Sequence, residues 1–538
     1  GLNLRGSIND RSESDLKFDN GSSVSKRGVS PVEGRKHNVG ARLNFTPDAD
    51  NDFGLDFEHG KQSYNNDDCQ LGTLDGVAGG NAINGCTTPD VKKANGYKDK
   101  LRFERNQFAI THVGRYELGT LDSSLTHKTT ETFGRTIPGS PIGNSYTGYP
   151  SIVIGSDRKL KNTDLVLDSK FTAEYFENHV STIGGQWLKA KMTDGIANED
   201  FEQKSWAVFL EDEWRLRDDL ALTLGGRYED HQSFGGHLSP RAYLVWNTTD
   251  NWTIKGGVSR GYKTPSLNDL HNGINGVTAQ GKTLTIGSPH LKPEKSTSTE
   301  VGFYYDNYED FNANATIFHT KFTDKIESGT AIANCYSTST PNQPGCISFG
   351  PGFTQESFSQ KINLGKATSK GLELGARWGF ATDWSISGNY TYSHTRQDSG
   401  PDKGRPFTNT PRHMINASLN WQTTDRLNMW LKGEYRSKRV RFVESYDSLN
   451  AQNKLIADAA NNLRAYSVFQ LGGSYKATEN VTLTAAVYNL LNKDFTKGKY
   501  YQDGNDQAWV SDYTQSGAAT SGTLEEGRRL WLSANLTF

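Results

Sequence analysis

The chain lacks any continuous apolar segment long enough to form a membrane-spanning helix. Its 538 residues contain no run of about 18 or more apolar residues. Hydrophobic residues make up only 34% of the chain, and the mean hydropathy is -0.69. These values exclude transmembrane helices. They leave a membrane β-barrel open, because only alternate residues of each barrel strand face lipid and averaging hides that pattern.

Strong charge, domain linkers and enzyme motifs are also missing. The formal net charge of -2 gives no overall attraction to nucleic acid. No charge block, linker or Pro-rich hinge divides the chain, so we predict one domain over residues 1–538. No nucleophile elbow, P-loop, dinucleotide-binding fingerprint or calcium loop stands out. We therefore predict a protein that is not an enzyme and has no cofactor or metal site.

Cysteine is scarce. The four cysteines form two local pairs, Cys69 with Cys86 and Cys335 with Cys346, each in a polar stretch rich in Gly, Asn and Thr. We interpret them as two loop disulfides made in an oxidising compartment. The alternatives are four free thiols or a zinc site. The zinc site would need a Cys-x-x-Cys or nearby His spacing, which the sequence does not contain.

Glycine and aromatic residues are abundant, with 55 Gly, 25 Phe, 23 Tyr and 11 Trp. They occur in segments whose apolar and polar residues alternate with a period of two, which predicts strands. In the last segment, Arg528–Phe538, leucines and Phe538 share one face, and the other face is mostly polar. The same alternation occurs in residues 220–229, 252–259, 311–317 and 481–487.

Short and long connections alternate between these strands. The short ones lie near residues 47–52, 217–219, 247–251, 306–310, 381–383, 423–426 and 477–480. The long ones lie near residues 15–33, 65–98, 131–158, 196–203, 263–293, 329–356, 398–408, 443–463 and 495–522. One connection on the long side, near residues 233–236, is short. Short turns at one end and long loops at the other are typical of outer-membrane barrels.

The fold class predicted from this alternation is all-β, a transmembrane antiparallel up-and-down β-barrel of about twenty strands. Both chain ends then lie on the short-turn side. A β-propeller is the main rival, but it needs a repeat of roughly 40–50 residues with a blade signature. We find no such repeat. A barrel of this size has a lumen too wide for side chains to fill.

Several motifs, in order along the chain, resemble TonB-dependent outer-membrane receptors. They are residues 257–270 (GVSRGYKTPSLNDL), 287–302 (GSPHLKPEKSTSTEVG), 362–374 (INLGKATSKGLEL), 409–415 (NTPRHMI) and 487–495 (VYNLLNKDF). The terminal aromatic strand continues the resemblance. Within the family, residues 261–280 and 435–450 are most similar to the catecholate-siderophore branch, especially to colicin I receptors. One element departs from the family pattern, which has Asn-Pro-Asp-Leu where this chain has Ser288–Leu291.

The resemblance implies uptake of a ferric siderophore, of catecholate type, through the outer membrane of a Gram-negative cell. It implies extracellular long loops, periplasmic chain ends and a barrel of about 22 strands. Its partners would be the siderophore, the TonB complex acting through an amino-terminal plug, lipid, lipopolysaccharide, and colicin or phage. No plug, TonB segment or signal peptide is present in the sequence, and Gly1 falls where the third family strand begins. We therefore expect a mature or truncated segment that lacks the plug and the first hairpin.

A ferric catecholate is anionic, flat and aromatic, so its site needs cations and ring surfaces. Residues 435–446 match best. Strand parity predicts that Arg436 and Lys438 point inward and that Arg441 and Phe442 lie near the rim. The other candidates are two inward cations and four loop residues: Arg412, Lys263, Arg405, Tyr262, Tyr446 and Tyr500. The plainer alternative is a basic rim that binds lipopolysaccharide phosphates or stays solvated.

Parity also places Arg260 on the outward face, where we expect a lipid-headgroup contact. The paired carboxylates Glu211 and Glu213 alternate on one face and are predicted to line the lumen rather than to catalyse. Three other functions stay open. A haem receptor of the same family would use His271 or His290. A passive porin would need an open lumen, and a lipopolysaccharide-assembly barrel should lack the motifs at residues 260–270 and 291–300.

Overall fold

The computed structural model describes residues 1–21, 33–65, 97–137, 156–197, 200–278, 283–329, 331–351, 353, 355–363, 365–400, 402–514 and 524–537. The predicted Cys69–Cys86 pair and Phe538 lie outside these ranges. Within them, no helix has both the length and the apolar character to cross a membrane.

The wall of the molecule is a single antiparallel sheet of 20 strands. Each strand pairs with the wall strand that follows it in the chain, from β1–β2 to β26–β29. The wall strands are β1 (Leu2–Arg11), β2 (Gly34–Phe45), β3 (Asn51–Asn65), β4 (Tyr97–Tyr116), β5 (Gly119–Arg135), β6 (Leu160–Phe176), β7 (His179–Asp194), β8 (Phe201–Arg217), β9 (Leu220–His231), β10 (Gly235–Asn247), β11 (Trp252–Lys263), β14 (Glu294–Asp306), β15 (Phe311–Thr323), β19 (Ala367–Ala381), β20 (Trp384–Gln397), β21 (His413–Thr424), β22 (Leu427–Arg436), β25 (Tyr466–Thr478), β26 (Val481–Tyr488) and β29 (Arg529–Leu536). The predicted all-β barrel class is therefore confirmed.

The alternation of short and long connections is also confirmed. The turns between β8 and β9, and between β25 and β26, each leave only two residues outside the strands. The long connections all leave from the opposite end of the wall, which we call the loop end. The predicted short connection there is the turn between β9 and β10, where Gly235 has a φ of 67°. Glycine adopts this left-handed conformation at no steric cost.

The long connections carry their own structure. Their strands are β12 (Ile274–Thr278), β13 (Thr283–Ile286), β16 (Ile326–Ser328), β17 (Ile332–Ala333), β18 (Ser357–Asn363), β23 (Arg439–Val440), β24 (Asn462–Leu463), β27 (Gly498–Asp503) and β28 (Asp506–Ser511). Two 3-10 turns cover Leu267–Leu270 and Tyr446–Ser448, and helix α1 covers Ala451–Ala460. Helix α1 lies within the long connection predicted near residues 443–463; a helix at this place was not predicted.

The two faces of the wall differ in polarity as the alternation predicts. The leucines of β29 lie on the outer face, and Leu530 and Leu532 are each 67% exposed. The inner face carries paired charges. Arg5 Nη2 lies 2.9 Å from Asp56 Oδ1, and Arg241 Nη1 lies 3.4 Å from Glu211 Oε2. An exposed apolar outer face suits hydrocarbon, and a polar inner face suits a water-filled lumen.

One predicted disulfide falls within the described residues and is present. Cys335 and Cys346 are bonded, with their Cα atoms 5.1 Å apart, in the connection between β15 and β19. The cross-link closes a short loop beside β17. The prediction for this pair is confirmed.

The first and last wall strands form a seam. Among the described residues, β1 is paired only with β2, and β29 only with β26. At the loop end, the two sides are joined by an ion pair between Arg11 and Glu526. Higher up, Trp509 Nε1 donates to Asp19 Oδ1 at 2.7 Å, and Phe18 packs on the Trp509 ring. Among the described residues, no β-ladder joins β1 to β29. The expectation that two further strands precede β1 therefore stays a prediction.

A matched pair of arginine substitutions in β15 tests the assignment of the faces. Ile317 is 59% exposed on the outer face, whereas Thr316 lies on the inner face opposite Gly302. We expect Ile317→Arg to lower the free energy of unfolding in lipid vesicles by about 2–4 kcal/mol, because the charge must enter hydrocarbon. Thr316→Arg should change it by less than about 1 kcal/mol. Equal losses in denaturant titrations of the two variants would contradict the assignment.

Candidate ligand-binding surface

The long connections pack together into two assemblies at the loop end. The first assembly surrounds a core of buried residues that come from four connections: Ile137, Ile196, Ile274, Leu284, Ile286, Phe353 and Phe358. The second surrounds two small clusters drawn from the connections next to the seam: Phe18, Phe495, Tyr513 and Leu524, and Ile456, Ala460 and Val510. Side chains on these connections therefore stand on a packed base rather than on isolated loops.

Arg441 is the central polar residue of the second assembly. Its side chain is 1% exposed. Its Nε donates to the carbonyl oxygen of Ala460 at 2.8 Å and its Nη1 to that of Thr514 at 2.8 Å. Its Nη2 donates to the carbonyl oxygen of Ser511. One guanidinium thus joins the end of α1 to the chain that follows β28.

Burial lowers the pKa of Arg441 to about 10, and the nearby carboxylate of Asp512 acts in the opposite direction. The guanidinium therefore remains charged at neutral pH. Sequence reasoning predicted that Arg441 lies near the rim as a ligand contact. Its donors point to carbonyl groups inside the loop assembly, so a supporting role fits this placement better than direct contact.

Three aromatic candidates surround the same assembly. Phe442 is half-buried against the cluster of Ile456, Ala460 and Val510. Tyr446 is exposed, and its hydroxyl donates to Asp458 Oδ2 at 3.0 Å, which raises the pKa of Tyr446. Tyr500 is exposed on β27, opposite Trp509. Tyr446 and Tyr500 therefore offer ring surface to solvent, whereas Phe442 supports the fold.

Two of the predicted cations lie where β22 ends and the connection begins. Arg436 Nε lies 3.3 Å from Glu434 Oε1, on the inner face beside Asn416. Lys438 is exposed, and among the described residues no carboxylate lies within ion-pair distance of it. Arg436 is thus already partly neutralised, while Lys438 presents its charge to solvent.

The next connection supplies Arg412 and Arg405. Arg412 is exposed and lies directly before β21, the strand that carries Asn416 on its inner face. The Nε of Arg405 donates to the carbonyl oxygen of Val443 at 3.1 Å, so this side chain ties two connections together. The inward direction of Arg412 stays a prediction, and Arg405 is occupied as a cross-link.

Arg439 was not predicted as a site residue. Its guanidinium carbon lies 5.7 Å from the centre of the Tyr466 ring, and its Nη1 donates to Asn409 Oδ1 at 2.8 Å. Burial lowers the pKa of Arg439. The sequence did contain a signal for Arg439, because this residue falls between Lys438 and Arg441 in the basic segment. Parity could not have placed it, since the wall strand ends at Arg436.

The remaining candidates, Lys263 and Tyr262, lie at the loop end of β11. Lys263 is 79% exposed at its side chain, with Nζ 4.0 Å from Glu294 Oε2. The ring of Tyr262 stacks on His237, with centroids 4.7 Å apart. Nearby, a cavity of about 700 Å³ lies between the inner wall, including Lys128 and Asp164, and the segment 264–268. The cavity residues form a second polar surface on the inner wall, separate from the one around Arg441, whereas Tyr262 is paired with Lys295 in the register of β11 and β14.

The two histidines considered for haem have different surroundings. The His271 ring packs edge-on against Phe201, with centroids 5.2 Å apart. His290 is exposed. In the part of the chain that the structure describes, no group of three or more His, Cys, Asp or Glu residues could hold a metal ion.

Replacing Arg441 tests its supporting role. Arg441→Ala leaves three carbonyl groups without their donor, which we expect to destabilise the second assembly by about 3 kcal/mol. Hydrogen exchange or limited proteolysis of the full-length protein should then report opening of residues 442–465. Lys438→Ala, three positions away and exposed, is the control and should leave protection unchanged. Undiminished protection of α1 in Arg441→Ala would refute the role.

Two curated relatives are an iron-regulated outer-membrane protein and a ferric enterobactin receptor. The chain is 30% identical over 443 residues to the iron-regulated outer membrane virulence protein of Vibrio cholerae, covering 81% of this chain and 58% of that protein. It is 26% identical over 475 residues to a ferric enterobactin receptor of Pseudomonas aeruginosa, covering 83% of this chain and 60% of that protein. The chain therefore spans about three-fifths of the length of these relatives.

Solved structures share the fold. A variant of the ferric enterobactin receptor of P. aeruginosa superposes with a TM-score of 0.74 at 21% identity, over all of this chain and 76% of that one. A siderophore receptor of Acinetobacter baumannii gives a TM-score of 0.72 at 20% identity, over all of this chain and 75% of that one. The family model for the TonB dependent receptor-like β-barrel matches residues 7–490. The chain belongs to this family of TonB-dependent receptor barrels.

Proposed function

We propose that this chain is the barrel of an outer-membrane receptor that takes up ferric siderophores of the catecholate type. The observation that carries the proposal is the surface around Lys438. Exposed cations Lys438 and Arg412 and the exposed rings of Tyr446 and Tyr500 all lie at the loop end, on three successive connections of the wall. Relatives that are named ferric enterobactin receptors support the choice of catecholates.

The chemistry of this surface fits an anionic aromatic ligand. Cations attract the negative complex over several ångströms and can donate charge-assisted hydrogen bonds to catecholate oxygens. Exposed tyrosine rings offer stacking area for the flat catechol groups. Arg436 and Arg439, which have partners in the protein, add positive charge behind this surface. Arg441, Arg405 and Phe442 then hold the loops in place rather than touch the ligand.

The proposed orientation follows from the asymmetry of the wall. The long connections face the cell exterior, where they meet the ligand, and the short turns face the periplasm. Energy would come from the TonB complex, acting through a plug in the full-length protein. Colicin or phage attachment to the outer loops, and the nearer likeness to colicin I receptors, stay predictions. We propose no catalytic role, in keeping with relatives that are receptors.

Removing the two exposed cations tests the ligand site. In the full-length receptor, Arg412→Gln combined with Lys438→Gln should weaken binding of a ferric tris-catecholate complex by on the order of 30-fold, because two charge-assisted contacts are lost. Quenching of tryptophan fluorescence measures the affinity. The affinity of the unmodified receptor should also fall as salt increases.

The matched control is Lys255→Gln. This inner-face lysine lies over the Tyr304 ring, with Nζ 4.6 Å from its centre, near the short-turn end of β11. We expect its effect on affinity to stay within about twofold. If the double variant bound the complex with wild-type affinity, the assignment of Arg412 and Lys438 to the ligand site would be wrong. Failure of the full-length receptor to support TonB-dependent uptake of iron from a catecholate complex would remove the proposed function itself.

A further inference from the structure

A carboxylate lies on the outer face of the wall near the short-turn end. Asp212 occupies an outward position of β8, because Leu210 and Trp214, two positions away on either side, are 56% and 40% exposed on that face. Side chains two positions apart share a face of a strand. In the register of β7 and β8, Ser181 lies opposite Asp212 and His179 lies opposite Trp214. These four side chains therefore meet on the surface that faces lipid.

Hydrogen bonds and ring contacts hold these side chains together. Ser181 Oγ donates to Asp212 Oδ1 at 2.6 Å, and His179 Nδ1 lies 2.8 Å from Asp212 Oδ2. The His179 ring stacks on the Trp214 ring with centroids 5.5 Å apart, and the Phe176 ring meets the His179 ring edge-on at 6.0 Å. We call Phe176, His179, Ser181, Asp212 and Trp214 the carboxylate–ring cluster. It combines one negative charge with three aromatic rings.

The negative charge of this cluster has no lysine or arginine beside it. Within the described ranges, His179 is the one basic side chain at ion-pair distance from Asp212. An outward carboxylate at the loop end of the same strand differs, since Glu202 Oε1 lies 3.4 Å from Lys189 Nζ. Each oxygen of Asp212 accepts one hydrogen bond and has capacity for another. A carboxylate at the edge of hydrocarbon is costly without a cation, so the site favours a cationic ligand.

The carboxylate–ring cluster lies at the level of lipid headgroups. Aromatic rings of membrane barrels collect at the two interfaces between hydrocarbon and water. Trp214, Trp246 and Trp252 are exposed on the outer face near the short-turn ends of β8, β10 and β11. Asp212 is two residues from Trp214, which is roughly 7 Å along the strand at about 3.3 Å per residue. The carboxylate therefore lies where the headgroups of a leaflet meet their acyl chains.

An apolar groove runs along the outer face from Asp212 toward the loop end, where Arg260 contributes to it. The groove has a volume of about 1140 Å³, and Asp212 is part of its lining. Its walls are chiefly aliphatic side chains of β7 to β11: Ile183, Val208, Leu210, Leu224, Leu238 and Val258. An aliphatic groove with a carboxylate at its short-turn end matches a lipid that has an acyl chain and a cationic head.

Two outward glycines keep this groove open. Gly226 pairs with Leu210, and a Cβ atom at Gly226 would meet only Leu238 Cδ1 within 4 Å, at 3.8 Å. A Cβ atom at Gly185 on β7 would meet only a backbone oxygen, at 3.4 Å. Neither glycine has a positive φ. The backbone thus accepts side chains at both positions, and their absence provides the space that a ligand chain can fill.

We propose that the carboxylate–ring cluster binds the ammonium group of an amine-headed phospholipid, of the phosphoethanolamine class, with one acyl chain in the groove. The ammonium donates to Asp212, and the exposed rings of Phe176 and Trp214 add cation–π contacts. The proposal rests on the orientation in which the short-turn end faces the periplasm, so the lipid belongs to the periplasmic leaflet. It uses no residue of the siderophore site, which lies at the loop end.

Matched aspartate variants of the full-length receptor test the headgroup contact. Asp212→Asn removes the charge of the cluster and keeps an acceptor for Ser181. The control is Asp168→Asn on the inner face, where Gln186 donates to Asp168 Oδ1 at 2.6 Å. Native mass spectrometry in detergent compares phosphatidylethanolamine with phosphatidylglycerol of the same acyl chains. We expect wild type and the control to bind the amine lipid on the order of tenfold more tightly, and Asp212→Asn to lose this preference.

Filling the groove tests the position of the acyl chain. Gly226→Leu places a side chain in the groove without contact to the carboxylate–ring cluster. We expect this variant to bind both lipids on the order of tenfold more weakly, because the acyl chain loses its apolar contacts. Free ethanolamine at millimolar concentration should not displace the lipid from the wild-type receptor, since it has no acyl chain.

Five results would each overturn the proposal. They are equal binding of the two lipids by wild type, an unchanged preference in Asp212→Asn, an equal loss of preference in Asp168→Asn, full lipid binding by Gly226→Leu, and displacement of the lipid by ethanolamine. Circular dichroism verifies that each variant is folded before binding is measured.

Discussion

The hydrogen-bonding requirement of the backbone inside lipid is the constraint on which the rest of this structure depends. Hydrocarbon offers no donors or acceptors, so strands in the wall must pair with their neighbours along their length. A paired strand alternates its side chains between two faces, and the two faces of this wall meet different surroundings. The apolar outer face and the charged inner face both follow from this alternation.

Those consequences are also what the sequence makes predictable. The period of two in Arg528–Phe538 placed Leu530 and Leu532 on the outer face, and the structure agrees. The same parity placed Arg260 outward, next to the groove lined by Val258. Short polar turns were recognised because Asp, Asn and Thr close tight antiparallel connections. The pattern is strong wherever a residue belongs to a wall strand, because its neighbours fix its direction.

Parity gives no information once a strand ends, and the site residues show this limit. Arg441 follows β22 by only a few positions, yet it lies in the interior of a loop assembly whose partners come from α1 and the chain after β28. Contacts between residues so distant in sequence leave no local pattern. Helix α1 was missed for a related reason. The helix is short, and it is stabilised by burial of Ile456 and Ala460 against Val510. The hydrophobic periodicity of so short a segment gives only a weak signal for a helix.

The contact between Asp19 and Trp509 joins connections that lie at opposite ends of the chain. Phe18 shares a cluster with Phe495, Tyr513 and Leu524, so the two connections have one core. A change of length or sequence in either connection therefore alters the packing of the other. During the divergence of such receptors, these two segments should be inherited and exchanged together, as one recognition module assembled from the two ends of the barrel.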